Sequence, residues 1–481
     1  MATALPAPCD ETAGQRESEK TCASPRGTLV ATVLGSSLAF IVGSIINVAL
    51  PAMRAEFSTD AAGVQWIVNA YLLPLSALIL LGGAIGDHYG RKRAFILGLL
   101  AFAGATLGCA LAPTFEWLLA ARFVQGVGAA FLAPNSLAIL ADAFTGEERG
   151  KAIGTWAAAG AIAGAAAPLL GGFVVDTFDW RWAFAIVLPP AAACWLVAGR
   201  SIAESREVEG DRKGLDWLGA SLATLALALI VFALIRAPEA GWVAPGVLWP
   251  GLAGIATVTA FLLVENRRKL DAMIPLGIFG ASSFVGISIL TLLLYAALGG
   301  LLVVLPYMLI NSFGYSATAA GAAILPFPLI MGLLSRRIGG LATNFGLRYA
   351  MTLGPLVVAA GFALFALLSD PDFDYWTQLL PGLVVMAVGM ALCVAPLTTA
   401  VMNAVDARYT GVASGVNNAT SRTAGLIATA LLGFVMTRFE GDPAVAIDGF
   451  TMAAWVAAAL AVASAAAAWM MIDEEAVSGR D

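Results

Sequence analysis

Gly83-Ala84-Ile85-Gly86-Asp87-His88-Tyr89-Gly90-Arg91-Lys92-Arg93 is a short hydrophilic break between two long apolar stretches. The chain carries no formal charge from Val64 to Gly86, and none again from Ala94 to Phe115. In a bilayer core every backbone N–H and C=O must be bonded internally, so such runs become helices. About 20 residues of helix, at ~1.5 Å each, cross the ~30 Å of hydrocarbon. The break itself concentrates Arg91, Lys92 and Arg93 on one side of that barrier.

The same alternation extends in both directions. Apolar spans start near Arg26, Val64, Ala94, Trp117, Gly150, Trp182, Leu215, Val247, Ser283, Ala317, Arg348, Trp376, Gly411 and Gly449. Of the 26 Lys and Arg, 20 fall in the N-terminal tail, the even-numbered loops and the C-terminal tail. Four fall in the odd loops, and Arg122 and Arg422 lie inside spans. The positive-inside rule then predicts a multi-pass protein of the inner (plasma) membrane with both termini cytoplasmic. A wrong span count would scramble this alternation, so the charges support fourteen. The expected fold class is an all-α membrane protein of fourteen transmembrane helices.

A composition of 60% hydrophobic and 12% charged residues excludes an ordinary soluble domain of this length. Residues 1–25 hold Asp10, Glu11, Glu17 and Glu19 without an apolar core, so they read as a disordered cytoplasmic tail and not as a signal peptide. Cys9, Cys22, Cys109, Cys194 and Cys393 are scattered and form neither a disulfide framework nor a metal site. His88 is the single histidine, which excludes a histidine proton wire of several members. No glycine-rich phosphate loop with its lysine is present, which argues against direct use of ATP. No enzyme activity, cofactor or nucleic-acid partner is expected; the partners are a small-molecule substrate, candidate protons and the lipid bilayer, with a monomer as the expected state.

An internal repeat organises the chain. Gly150-Lys-Ala-Ile-Gly154 returns as Gly411-Val-Ala-Ser-Gly415, Gly128 as Gly389, and Gly172-Phe-Val as Gly433-Phe-Val, all at a separation of 261 residues. Gly83, Gly90 and Lys92 match Gly339, Gly346 and Arg348 at 256. The division is therefore a tail over 1–25, a six-helix half over 26–203, a charged linker with two extra helices over 204–275, a second six-helix half over 276–472 and a tail over 473–481. Two pseudo-symmetric parallel halves predict a transporter that rocks about a central cavity.

The hydrophilic break resembles the signature loop of the major facilitator superfamily: glycine, acid, glycine, then a basic run. Asn47-Val-Ala-Leu-Pro51, Gln65-Trp66 with Tyr71, Arg122-Phe-Val-Gln125-Gly126, Trp180-Arg181-Trp182 and Leu215-Asp216-Trp217-Leu218-Gly219 resemble its fourteen-span drug/proton antiporter branch. Gly160 to Gly172, with Pro168, Gly171 and Gly172, resembles that branch's antiporter motif in the fifth span. The resemblance implies a secondary active exporter of hydrophobic or amphipathic drugs and small molecules working by alternating access. It also implies a conformational latch of Asp87, Gly90, Arg91 and Arg93, for which Asp142 is the candidate partner at the end of the fourth span.

Two positions depart from the branch. Ala167 stands where the fifth-span motif has glycine. Val42 stands where the first span usually carries an acid. Desolvation disfavours the charged form of a carboxyl, which lets such an acid exchange protons near neutral pH. None of the 32 acidic residues replaces it near the middle of a span. The alternative is a facilitator or uptake carrier for a neutral or anionic metabolite without first-span proton coupling.

An arginine inside a span costs roughly 2.5–3.5 kcal/mol on insertion scales, so each needs a partner or a wet cavity. Arg122 could bind an anionic group, or bond to neighbouring carbonyls and Gln125. Arg422 could meet substrate, or order the thirteenth span with Asn417 and Asn418. Asn47, Asn69, Tyr71, Gln125 and Asn135 are candidate cavity residues, with interhelical hydrogen bonding as the plainer role.

Overall fold

The computed structural model describes residues 24–206, 215–268, 272–406, 409–436 and 443–478; the side chains of 147, 336–345, 395, 434, 443 and 476 are outside that description. Residues 1–23 of the first tail, with Cys9 and Cys22, and 207–214 of the linker thus lie outside the described residues. The described residues are helical, with no strand among them. The first half holds α1 (Pro25–Phe57), α2 (Ala61–Tyr89), α3 (Arg91–Ala110), α4 (Phe115–Ala143), α5 (Gly146–Thr177) and α6 (Trp180–Ser201). Next come α7 (Trp217–Ala240) and α8 (Pro245–Arg268). The second half holds α9 (Ser282–Asn311), α10 (Ala317–Ile324 continued by Pro326–Phe345), α11 (Leu347–Leu368), α12 (Tyr375–Asn403), α13 (Thr410–Leu431) and α14 (Pro443–Met471).

Local chemistry sets these boundaries. Ser24, Asp60, Thr114, Asp179, Asp216 and Ser316 each stand just before a helix and accept a backbone N–H from its first turn. Such caps satisfy donors that the helix cannot bond internally. Helix α6 is interrupted between Ala185 and Leu188, where Pro189 and Pro190 remove two N–H donors. Pro326 divides α10 in the same way.

Among the described residues, thirteen helices are long and apolar enough to cross a membrane. The fourteenth, α13, is 22 residues long but carries Asn417, Asn418, Thr420, Ser421, Arg422 and Thr423. It packs between α2, α7, α9 and α12, so neighbouring helices replace much of the lipid around it. Part of this polar set is bonded: Thr291 on α9 donates to Asn417 at 2.7 Å across the helix pair, and Thr420 donates to Val416 O at 2.8 Å within α13.

The repeat read from glycines is a repeat of close crossings. A β-carbon at Gly128 would lie 2.5 Å from Phe102 N and 2.7 Å from Gly98 O. At Gly389 it would lie 2.6 Å from Val358 N and 2.7 Å from Gly354 O. Helices α3 and α4 therefore meet as α11 and α12 do, backbone against backbone, where small residues allow van der Waals contact without hydrophobic drive.

The halves meet along two seams, α2 against α13 and α5 against α10, with α1 touching α9 between them. The extra helix α7 covers the first seam, where Leu73, Val231, Ile235, Leu426 and Ala430 form one buried cluster from α2, α7 and α13. Helix α8 packs on α7. At their linker end Asp216 caps α7, pairs with Arg268 at 3.0 Å and accepts Met273 N, while Glu265 accepts Ile274 N at 2.7 Å. This cluster ties both extra helices to the segment that enters α9.

Candidate functional site

Along the seam between α5 and α10, the Asp176 carboxylate at the end of α5 accepts Ala317 N at 2.9 Å, Thr318 N at 2.8 Å and the Thr318 hydroxyl at 2.6 Å. An anion at a helix N-terminus is favoured by the unpaired N–H groups and the helix dipole. Beneath it the two backbones touch. A β-carbon at Gly172 would lie 2.2 Å from Ala317 O, and one at Gly321 2.3 Å from Pro168 O. Gly171 faces α1 instead, where its β-carbon would meet Ile45 at 2.2 Å. The Pro168, Gly171 and Gly172 motif thus forms a three-helix crossing of α1, α5 and α10. Ala167, the departure from the motif, is buried in a small cluster with Ile45 and Ala183.

A cavity of about 170 Å³ lies beside this crossing, between α1, α5, α9 and α10. Ser44, Asn47, Gly164, Pro168, Phe327 and Met331 are among its walls, which are mostly apolar. Asn47 donates to Leu302 O at 3.2 Å, bridging the halves, and its Oδ1 has no hydrogen-bond partner. On the same side, Arg54 on α1 donates to the Tyr307 hydroxyl on α9 at 2.9 Å.

The other candidate residues sit inside the first half. Arg122 is fully buried, donates to Ile67 O at 3.1 Å and Gln125 Oε1 at 2.7 Å, and lies 4.5 Å over the Tyr71 ring. Gln125 passes the chain on to Thr106 at 2.8 Å. One guanidinium nitrogen, Nη2, has no partner. Tyr71 donates to Ala39 O at 3.1 Å. Asn135 donates to Gly82 O and Phe131 O, holding α2 against α4. Asn69 is wholly buried with neither amide atom partnered. Asn47 alone of these candidates lines the cavity. Val42 packs in the same apolar cluster as Leu38, Tyr71 and Leu75.

At the opposite ends of α2 and α4, Arg91 joins two acids. It donates to Asp87 at 2.8 Å and to Asp142 at 2.5 Å. Gly90 adopts φ of +118°, a conformation that favours glycine, and so turns the chain directly from α2 into α3. Arg93 reaches Glu204 at 3.5 Å, and Glu204 also accepts Lys92 N at 3.0 Å and Arg93 N at 3.3 Å. All these partners belong to the first half or to the Glu204 segment directly after it.

Glu204 has a counterpart that the sequence reading did not single out. Glu474 accepts Leu347 N at 2.9 Å and Arg348 N at 2.7 Å, next to Gly346 at φ of +102°. Lys92 Nζ donates to Gly199 O, and Arg348 donates to Trp469 O. The signal was available: Ile202-Ala203-Glu204 and Ile472-Asp473-Glu474 each follow the last span of a half, and both isoleucines are buried.

Two bundles of helices packed pseudo-symmetrically about a cavity define a multi-pass membrane carrier. The sequence profile of the Major Facilitator Superfamily matches residues 32–429, and the chain belongs to that superfamily. It is 33% identical over 414 residues to the multidrug resistance protein Stp of Mycobacterium tuberculosis (strain CDC 1551 / Oshkosh), covering 85% of this chain and 75% of that one. It is 32% identical over 423 residues to the methylenomycin A resistance protein of Bacillus subtilis (strain 168), covering 87% and 89%. With the puromycin resistance protein pur8 of Streptomyces alboniger the identity is 32% over 461 residues, covering 92% and 91%. Among solved structures, a peptide transporter POT in complex with sulfate superposes with a TM-score of 0.68 at 15% identity, over 95% of this chain and 96% of that one. A bacterial homolog of the human lysosomal transporter Spinster gives 0.63 at 18%, over 96% and 98%. These structural likenesses concern the fold.

Proposed function

We propose that this protein is a secondary active exporter of hydrophobic or amphipathic small molecules that works by alternating access. The observation that carries it is a cavity between the halves, closed on one side by the α5–α10 crossing and its Asp176 cap. The relatives named for drug and antibiotic resistance support the substrate class. The basic-residue distribution supports an inner-membrane orientation with cytoplasmic termini, which makes the Asp176 side the outer one. In this reading 26–203 and 276–472 move as two bodies, 204–275 clamps one seam, and the unit is a monomer. Asp87, Gly90, Arg91, Arg93 and Asp142 act as the cytoplasmic latch. Here they bond within the first half and its adjoining Glu204 segment, which fits a carrier open to the cytoplasm.

A second reading, a facilitator or uptake carrier without first-span proton coupling, is favoured by the buried apolar setting of Val42. Proteoliposomes under an imposed pH gradient separate the two. Substrate movement with matching proton counterflow identifies an antiporter, and movement without it a facilitator. Expression in a pump-deficient bacterium tests export itself: raised tolerance to an amphipathic antibiotic, with lower cell accumulation, is expected. Unchanged accumulation across a broad panel would sink the export reading.

A further inference from the structure

Among the described residues, Arg422 is a charge inside a span that no carboxylate answers. It stands near the middle of α13, half-buried, with its guanidinium carbon 5.3 Å from the centroid of the Phe40 ring on α1. That contact crosses from one half to the other. Phe40 lies in turn against α5, where a β-carbon at Gly160 would come within 3.0 Å of its ring. One turn along α5, Gly164 lies beside both Phe40 and Ser44 and lines the cavity with Ser44 and Asn47. The guanidinium and the cavity therefore adjoin the same layer of α1 and α5.

Among the described residues, no carboxylate pairs with Arg422 and no hydrogen-bond acceptor holds it. The other arginine inside a span, Arg122, behaves differently, being sealed among Ile67 O, Gln125 and Tyr71. Asn417, which could have ordered Arg422, is taken by Thr291. A cation over an aromatic face is stabilised by the ring quadrupole while its in-plane N–H donors stay free. An intramembrane ionisable group that is expensive to keep and lacks a partner marks a substrate or ion path. Its fork of donors matches a carboxylate or phosphate oxygen pair. No acid among the described residues occupies the middle of a span, so the two arginines dominate the interior field. That field attracts anions and repels lipophilic cations.

We propose that Arg422 binds an anionic group on the carried molecule, and that the substrates are amphipathic anions whose apolar bodies occupy the cavity beside Asn47. This rests on the export reading but is separable from it. Fluorescein and rhodamine 123 share a xanthene body and differ in charge at neutral pH, so they report the preference directly. Fluorescence anisotropy with the purified full-length carrier is expected to give tighter binding of fluorescein. Arg422→Gln should weaken fluorescein on the order of tenfold and leave rhodamine 123 unaltered, with Arg422→Lys in between. A second measurement needs no variant: benzoate should displace fluorescein from the wild-type carrier, and the isosteric neutral benzamide should not. Preference for rhodamine 123, equal loss of both dyes in Arg422→Gln, or equal competition by benzamide would overturn the anion site. A carrier that still lowers drug accumulation in cells after any of these results keeps the export function and loses only this assignment.

Discussion

Val42 is fully buried in an apolar cluster that includes Tyr71, and Tyr71 carries the Arg122 guanidinium on its ring. A carboxylate at position 42 would enter a region that already holds a partnered arginine with a spare donor, Nη2. Val42→Asp is therefore expected to fold with a modest stability loss and to make transport rate depend on pH between about 5 and 8, the range in which a desolvated carboxyl titrates. Initial rates in proteoliposomes at a series of pH values check this. A profile that overlays the wild type would mean the first span is not where coupling arises. At this scale the sequence was legible in placing Asp87, Arg91 and Asp142 at neighbouring helix ends, where Arg91 bonds both acids. It was illegible where a side chain's partner depends on helix rotation. Asn69, Gln125 and Asn135 read as cavity residues because they are polar, yet their helices turn them into the first half's interior. Polarity in a span says that a group avoids lipid, and leaves open which interior it faces.

The glycine-led starts of α3 and α11 are one device used twice, since each begins at a positive-φ glycine and is capped by a glutamate arriving after the half's last span. An N-terminal cap contributes about 0.5–2 kcal/mol. Glu204→Ala and Glu474→Ala should each lower the midpoint of thermal unfolding by a few degrees. Similar losses are expected if the halves are equivalent; a loss confined to Glu204→Ala would mean that only the first cap bears load. The crossing of α5 and α10 makes the opposite kind of contact, one meant to break. Asp176→Ala removes three charge-assisted hydrogen bonds, each worth roughly 1.5–3 kcal/mol at most. Labelling of a Ser44→Cys cavity reporter by an impermeant thiol reagent from outside should then accelerate on the order of tenfold. An unaltered rate would show that Asp176 does not hold the seam. Helices themselves were well read, because apolar length and turn chemistry are local. The caps by Glu204 and Glu474 were read as linker and tail, since nothing local says that a carboxylate just past a span will fold back onto a helix in the same half.

Across the whole molecule, the repeat of glycine crossings makes each half a body held by backbone contact, while the seams between halves rely on fewer points. Close-packed crossings resist bending, so motion concentrates where halves meet. The α2–α13 seam is reinforced by α7, whose residues share a buried cluster with both. The α5–α10 seam has no such cover among the described helices and closes on Gly172, Gly321 and Asp176. The two seams should therefore differ, with the α5–α10 side opening most in each cycle. The pair Asp176→Cys with Thr318→Cys, built with Cys9 and Cys22 replaced by serine, tests this directly. The described native cysteines, Cys109, Cys194 and Cys393, are buried and should not compete. The Asp176 and Thr318 side-chain oxygens lie 2.6 Å apart, so the engineered thiols are near neighbours. Oxidation should stop transport, and reduction should restore it. Transport that persists with the bridge formed would mean that this seam stays shut throughout the cycle, and that the carrier exchanges its openings somewhere other than at the crossing its glycines build.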